Sequence, residues 1–136
     1  MPTLENLKNT EMVELPNGTR ALLRRAAPRD ARQIRALYDE VYQGKYPLSI
    51  IYDTHETLES LSKKNTYWYV SSVGRKLAGS VIFQVDPEAQ LAKVFAGVVH
   101  PNFRGAGLTE KTIAFGLRSL MAETDQVQSV YATART

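Results

Sequence analysis

The stretch Val98-Val99-His100-Pro101-Asn102-Phe103-Arg104-Gly105-Ala106-Gly107-Leu108-Thr109 decides how this chain is read. A run of branched apolar residues ends at Val99, a proline-bearing turn follows, and two glycines precede Ile113, Leu117, Leu120 and Met121 at helical spacing. A strand, a tight turn and a helix therefore follow in immediate succession. At such a junction several backbone amides at the helix start lack partners, and the helix dipole adds attraction for an anion. Gly105 and Gly107 carry no Cβ, so the chain there can adopt positive φ and let a phosphate approach the main chain, while Arg104 supplies a charge. A turn whose glycines only cap and pack has the same signature, and on Gly-Ala-Gly alone it is the default reading.

Upstream, Tyr67 to Val73, Leu77 to Val85 and Leu91 to Val99 are rich in aromatic and branched residues and are separated by Gly74-Arg75 and Asp86-Pro87-Glu88. That pattern predicts three antiparallel strands in a meander. Alternation puts Tyr67, Trp68 and Tyr69 on both faces of the first of them as packing residues. Near the start, Pro16-Asn17-Gly18 between Val13–Leu15 and Arg20–Arg25 predicts a hairpin with a short edge strand and a full strand. Ala27-Pro28-Arg29-Asp30 opens a helix whose apolar face is Ile34, Leu37, Tyr38 and Val41. Gln43 to Tyr52, with Gly44 and Pro47, reads as a loop that packs, and Asp53 with Glu56 caps a short helix carrying Leu58 and Leu61 and ending near Lys64.

Downstream, Gln128 to Thr133 is the last strand. The order β, β, α, α, β, β, β, α, β specifies an α/β (α+β) chain, a mixed and largely antiparallel sheet with helices packed on it. Its last helix joins two parallel strands. Residues 1–12 are expected to be a flexible lead-in and residues 13–136 one domain.

Composition narrows the function. The 136 residues are 43% apolar and 23% charged, within the range of a folded globular domain, and contain no cysteine. Disulfides, thiolate metal sites and a cysteine nucleophile are thereby excluded. No apolar run reaches the ~20 residues that span a bilayer, and the N-terminal residues lack a signal-peptide core, so no membrane partner is expected and the cytoplasm is the expected compartment. The net charge of +3 comes from short basic pairs such as Arg24-Arg25 and Lys63-Lys64, with no basic helix face, so nucleic acid is not an expected partner. His55 has no second histidine at ligand spacing, and no metal site is expected.

The phrase Val-His-Pro-Asn-Phe-Arg-Gly-Ala-Gly-Leu closely resembles the central motif of the GNAT acetyltransferase superfamily, Q/R-x-x-G-x-G/A after a strand. Leu23-Arg24-Arg25 with Asp30 is similar to that family's first strand and helix, and Leu77-Ala78-Gly79-Ser80-Val81 to its third strand. The resemblance spans about residues 13 to 136. It departs at Thr109, where the family has glycine or alanine, and at Glu110, where a neutral or basic residue is commoner.

What the resemblance implies is a GNAT-like acyl-CoA acyltransferase fold, with helices on both faces of the sheet and without its last helix and strands. The strand ending at Val99 would splay from the strand beginning near Gln128. Acetyl-CoA, as acyl donor, would lie in the slot, its pantetheine arm on the amides of Gly97, Val98 and Val99. Its pyrophosphate would rest on Arg104, Gly105, Ala106, Gly107, Leu108, Thr109 and Glu110. A primary amine would then attack the thioester directly. Tyr42 and Tyr46 lie where such a fold places the acceptor, although packing of a long loop explains them equally.

No catalytic residue is assigned. The family's thiolate-protonating tyrosine lies on a helix beyond the last strand, and His100 reads as a turn residue. The carboxylates Asp39, Glu40, Glu56 and Glu59 read as solvated helix surface. The competing function is a non-catalytic acyl-CoA-binding or protein-interaction module. Because the final strand would lack its neighbour, self-association into a dimer, or completion by a further C-terminal segment, is expected.

Overall fold

The computed structural model describes residues 10–42, 59, 61 and 63–132. Six strands form one sheet in the order of the sequence: β1 (Thr10–Glu14), β2 (Arg20–Arg25), β3 (Thr66–Val73), β4 (Lys76–Asp86), β5 (Leu91–Val99) and β6 (Ser129–Ala132). The first five are antiparallel neighbours, and β6 runs parallel to β5. Helix α1 (Ala31–Tyr42) follows β2, and helix α2 (Leu108–Glu123) makes the crossover from β5 to β6. Most of the helix expected between Asp53 and Lys64, and the loop from Gln43 to Tyr52, lie outside the described residues.

The flexible lead-in expected over residues 1–12 overlaps the first strand. Thr10 to Met12 belong to β1, in register with Arg24 to Leu22 of β2. Their polarity hid the strand, but an edge strand needs backbone partners rather than apolar side chains, and Glu11 is tied to α2 by an ion pair with Arg118. The hairpin turn is where Asn17 and Gly18 put it, with the Asn17 Oδ1 accepting the Thr19 N–H at 3.0 Å.

Alternation along β3 and β4 divides the core between the two helices. Trp68, Val70, Leu77, Ile82 and Val98 pack with Ile34, Leu37 and Tyr38 of α1. On the other face Leu23, Tyr69, Val81, Phe83, Val85 and Val94 pack with Leu108, Phe115 and Leu120 of α2. The α2 stripe departs from the expected one. Leu108, Thr112, Phe115, Gly116 and Leu120 are buried, spaced as one helical face, whereas Met121 is 48% exposed. Gly116 is inside because the rings of Tyr69 and Phe83 lie directly against it.

The entry to α1 rests on one ion pair. A 3-10 turn at Pro28–Asp30 precedes the helix, and Asp30, buried, accepts the Ala27 N–H at 2.7 Å and both guanidinium nitrogens of Arg24 at 2.7 and 2.9 Å. Burial by itself would raise the Asp30 pKa. The Arg24 hydrogen bonds, the Ala27 amide and the charges of Arg24 and Arg29 outweigh it and hold the carboxyl below its ordinary value. The folded state therefore binds fewer protons than the unfolded one near the ordinary carboxylate pKa. The pair's contribution is complete above that value and is lost as pH falls through the lowered one. Asp30→Ala is expected to cost about 2–3 kcal/mol at neutral pH, since it strands a half-buried guanidinium. Asp30→Asn should flatten the dependence of stability on pH below about 4. Denaturant titrations at several pH values check both.

Candidate functional site

Strands β4 and β5 carry the geometry that shapes the site. Their register pairs Ser80 with Val98 and Ile82 with Phe95, so Ala96 and Gly97 together oppose Val81 in a bulge. Beside it, the parallel pairing of β5 with β6 covers Leu91 to Val94 against Ser129 to Ala132. Among the described residues nothing pairs with the outer edge of Phe95 to Val99. The His100 N–H donates to the Ala78 carbonyl on β4 at 2.7 Å. Amide directions alternate along a strand, so the Val99 N–H points to the opposite, open edge.

The open edge leads into a turn. Pro101–Phe103 form one 3-10 turn, Gly105 and Gly107 have φ of +80° and +74°, and Gly107 is the N-cap of α2. The first intrahelical bond runs from Lys111 N to Gly107 O at 3.1 Å, so the amides of Leu108, Thr109 and Glu110 open the helix ahead of it. Val99, Phe103, Arg104, Gly105, Gly107, Leu108, Thr109 and Glu110 line a cleft of about 370 Å³.

Seven of the ten residues expected for the donor thus meet in one cleft. The other three do not line it. Ala106 packs against the α2-side core, the Val98 side chain is buried in the α1-side core, and Gly97 sits in the bulge, exposed. Glu110 occupies the place its charge made doubtful. A Cβ built on Gly107 would lie 3.9 Å from the Glu110 Oε2, so the carboxylate hangs over the glycine turn, at the positive end of α2.

Tyr42 ends α1, stacked on Tyr38 with ring centroids 6.3 Å apart and packed against the α1-side core; it is not part of the cleft lining. Tyr46 lies outside the described residues. His100 takes the turn role expected of it. Its Nδ1 accepts the Asn102 N–H at 3.1 Å, and its Nε2 lies 2.8 Å from Glu40 Oε1. That second contact was invisible in sequence, because it joins residues sixty positions apart and nothing in a charged helix surface marks Glu40 as different from Asp39. The hydrogen bond from His100 outweighs desolvation and, with a smaller contribution from Lys76 at 3.8 Å, holds the Glu40 carboxyl below its ordinary value.

A bulged β4–β5 pair, a glycine turn opening a crossover helix and a parallel sixth strand give this chain a fold similar to that of solved acetyltransferases of the GNAT type. Solved structures show the same architecture. An aminoglycoside acetyltransferase from an uncultured soil metagenomic sample, in complex with sisomicin, superposes with a TM-score of 0.70 at 20% identity, over 85% of this chain and 78% of that one. AAC(6')-Iy, in complex with the bisubstrate analogue CoA-S-monomethyl-acetylneamine, gives 0.68 at 13% identity, over 85% and 80%. A ribosomal-protein-alanine N-acetyltransferase from Brucella melitensis biovar Abortus 2308 gives 0.67 at 21% identity, over 85% and 80%. No family model matches the sequence, and no curated protein matches it. Among the described residues no helix is long and apolar enough to cross a membrane.

Proposed function

We propose that the chain binds acetyl-CoA in the cleft at the end of β5 and transfers its acetyl group to a primary amine. The observation that carries the reading is the continuity of two backbone surfaces. The open edge of β5 at Val99 runs directly into the two positive-φ glycines and the first-turn amides of α2. An extended pantetheine arm can pair with a strand edge as an added strand does, and a pyrophosphate suits amides at a helix start. The bisubstrate analogue bound to AAC(6')-Iy joins CoA to an amine-bearing acceptor, which supports the same division of the site here.

In the reaction the acceptor nitrogen, as free amine, attacks the thioester carbonyl. The C–S bond breaks, CoA departs as its thiolate, and the proton that the attacking nitrogen sheds ends on the CoA sulfur, directly or through solvent. The Val99 N–H, directed away from β4, is suited to stabilise the carbonyl oxygen as negative charge develops on it. Tyr42 and Tyr46 remain the acceptor-side candidates, and no proton-transfer residue is assigned. Steady-state turnover of acetyl-CoA with a panel of aminoglycosides, peptide N-termini and lysine peptides tests the reading. Amine-dependent release of CoA is expected, and its absence with every acceptor would leave a binding module.

One observation favours that second reading, namely the Glu110 carboxylate above Gly107, where a pyrophosphate would sit. Exchanging it is therefore informative. Glu110→Arg is expected to tighten CoA binding roughly three- to tenfold at low salt, with the gain shrinking as salt rises. Thr109→Gly, which restores the commoner residue, should leave affinity unchanged or better. Titration calorimetry at two ionic strengths measures both.

Self-association is part of the same proposal. Strand β6 is the last of the described sheet and largely exposed, with Tyr131 48% accessible, so among the described residues its outer edge is open to another chain. Light scattering at micromolar concentration should show a dimer or larger species; a monodisperse monomer would contradict it.

A further inference from the structure

The turn that shapes the cleft is organised around one buried side chain. His100 is held at four points. Its N–H donates to Ala78 O, and its carbonyl accepts the Phe103 N–H at 2.9 Å. Its Nδ1 accepts the Asn102 N–H, and its Nε2 meets Glu40 of α1. Because Asn102 is a donor, Nδ1 must present a lone pair. The ring proton therefore sits on Nε2 and donates to Glu40 Oε1. The other tautomer would set two N–H groups against each other at Asn102. The His100 side chain is 4% exposed and Glu40 51%, with Lys76 of β4 reaching the same oxygen. A hydrogen bond to a half-exposed carboxylate contributes little to global stability. What it fixes is the tautomer and tilt of a ring that caps the first residues of the turn, and Phe103 and Arg104 at the end of that turn line the cleft.

We infer that Glu40 and His100 are positioning residues for the cleft, Glu40 holding the ring so that His100 holds the turn on which Phe103 and Arg104 are carried. The inference rests on the acyl-CoA reading for its ligand but not for its geometry. It ties α1 to the donor side of the site, although neither side chain lines the cleft.

The test compares four variants of the full chain. Gln at position 40 keeps an acceptor for Nε2–H, and Asn at position 100 keeps an acceptor for the Asn102 N–H, as asparagine does at helix caps. Glu40→Gln and His100→Asn are therefore expected to bind CoA within about twofold of the unaltered chain. Glu40→Ala and His100→Ala should bind it roughly three- to tenfold more weakly. Hydrogen exchange at the Asn102 amide reads the same geometry without ligand, and should be fast in the two alanine variants and slow in the other two. If the unaltered chain binds no CoA, the acyl-CoA reading fails while the exchange pattern still decides the positioning role. Equal Asn102 exchange in His100→Ala and His100→Asn, or Glu40→Gln behaving as Glu40→Ala, would overturn the inference.

Discussion

Gly107→Asp is expected to leave the sheet intact and abolish CoA binding, down to no detectable heat at millimolar ligand. Gly107 has φ +74° at the N-cap of α2, a conformation that costs a residue with a Cβ roughly 1–2 kcal/mol. The larger effect is charge. The new carboxylate would stand beside Glu110, already within 3.9 Å of the Cβ position, at the mouth where two phosphates must enter. A carboxylate held about 4 Å from a phosphate charge would repel it by roughly 4 kcal/mol at the effective dielectric of a protein surface, close to a thousandfold in affinity. Gly107→Ala separates strain from charge and should lose only about tenfold. Affinity in the aspartate variant equal to that of the unaltered chain would place the ligand elsewhere.

The second large effect is on stability. A glycine in the middle of a helix is ordinarily a weakness, and Gly→Ala there gains about 1 kcal/mol. Gly116 is expected to behave oppositely. A Cβ at that position would stand 2.7 Å from Phe83 Cε2 and 2.8 Å from Tyr69 Cδ2. Both rings are fully buried and packed edge to face, with centroids 5.6 Å apart, and Tyr69 also meets Phe115 edge on. Neither ring can swing away without opening the α2-side core. Gly116→Ala is therefore expected to destabilise by about 1–3 kcal/mol, and Gly116→Val by about 3 kcal/mol or more, lowering the melting temperature by roughly 10 °C or more. Thermal and denaturant unfolding of the two variants measure this directly, and a gain in stability for Gly116→Ala would show that α2 stands further from the sheet.

The same glycine illustrates what the sequence could and could not disclose. The helix itself was legible from Ile113, Leu117 and Leu120. Its buried stripe was not, because Gly116 and Thr112 look polar or neutral until the rings of the opposite strands are in place. Strand β5 was readable to its ends, Leu91 and Val99, since Val94, Phe95, Val98 and Val99 favour extended backbone and turn residues bound the segment on both sides. The glycine turn was readable as a possible anion site through local chemistry alone: positive φ, free amides and one arginine. What lay beyond reach depends on contacts distant in sequence. Thr10 to Met12 form a strand only because β2 supplies its hydrogen-bond partners. The bulge at Ala96 and Gly97 arises from the register with β4, and the Glu40–His100 contact from packing of α1 beside the turn. Glu110 was suspect from charge alone, yet only the fold shows its carboxylate above Gly107.

Occupancy of the junction of β5 and α2 by acyl-CoA can be followed through the backbone amide resonances of the isotopically labelled chain during titration with CoA. Saturable shifts are expected, largest at Val99 and at Gly105 to Glu110, with smaller ones at Asn102 and Phe103 and none along the β1–β2 hairpin. No shifts at millimolar CoA, or shifts centred on β1 and β2 with the Val99 and Gly105–Glu110 resonances unmoved, would contradict it.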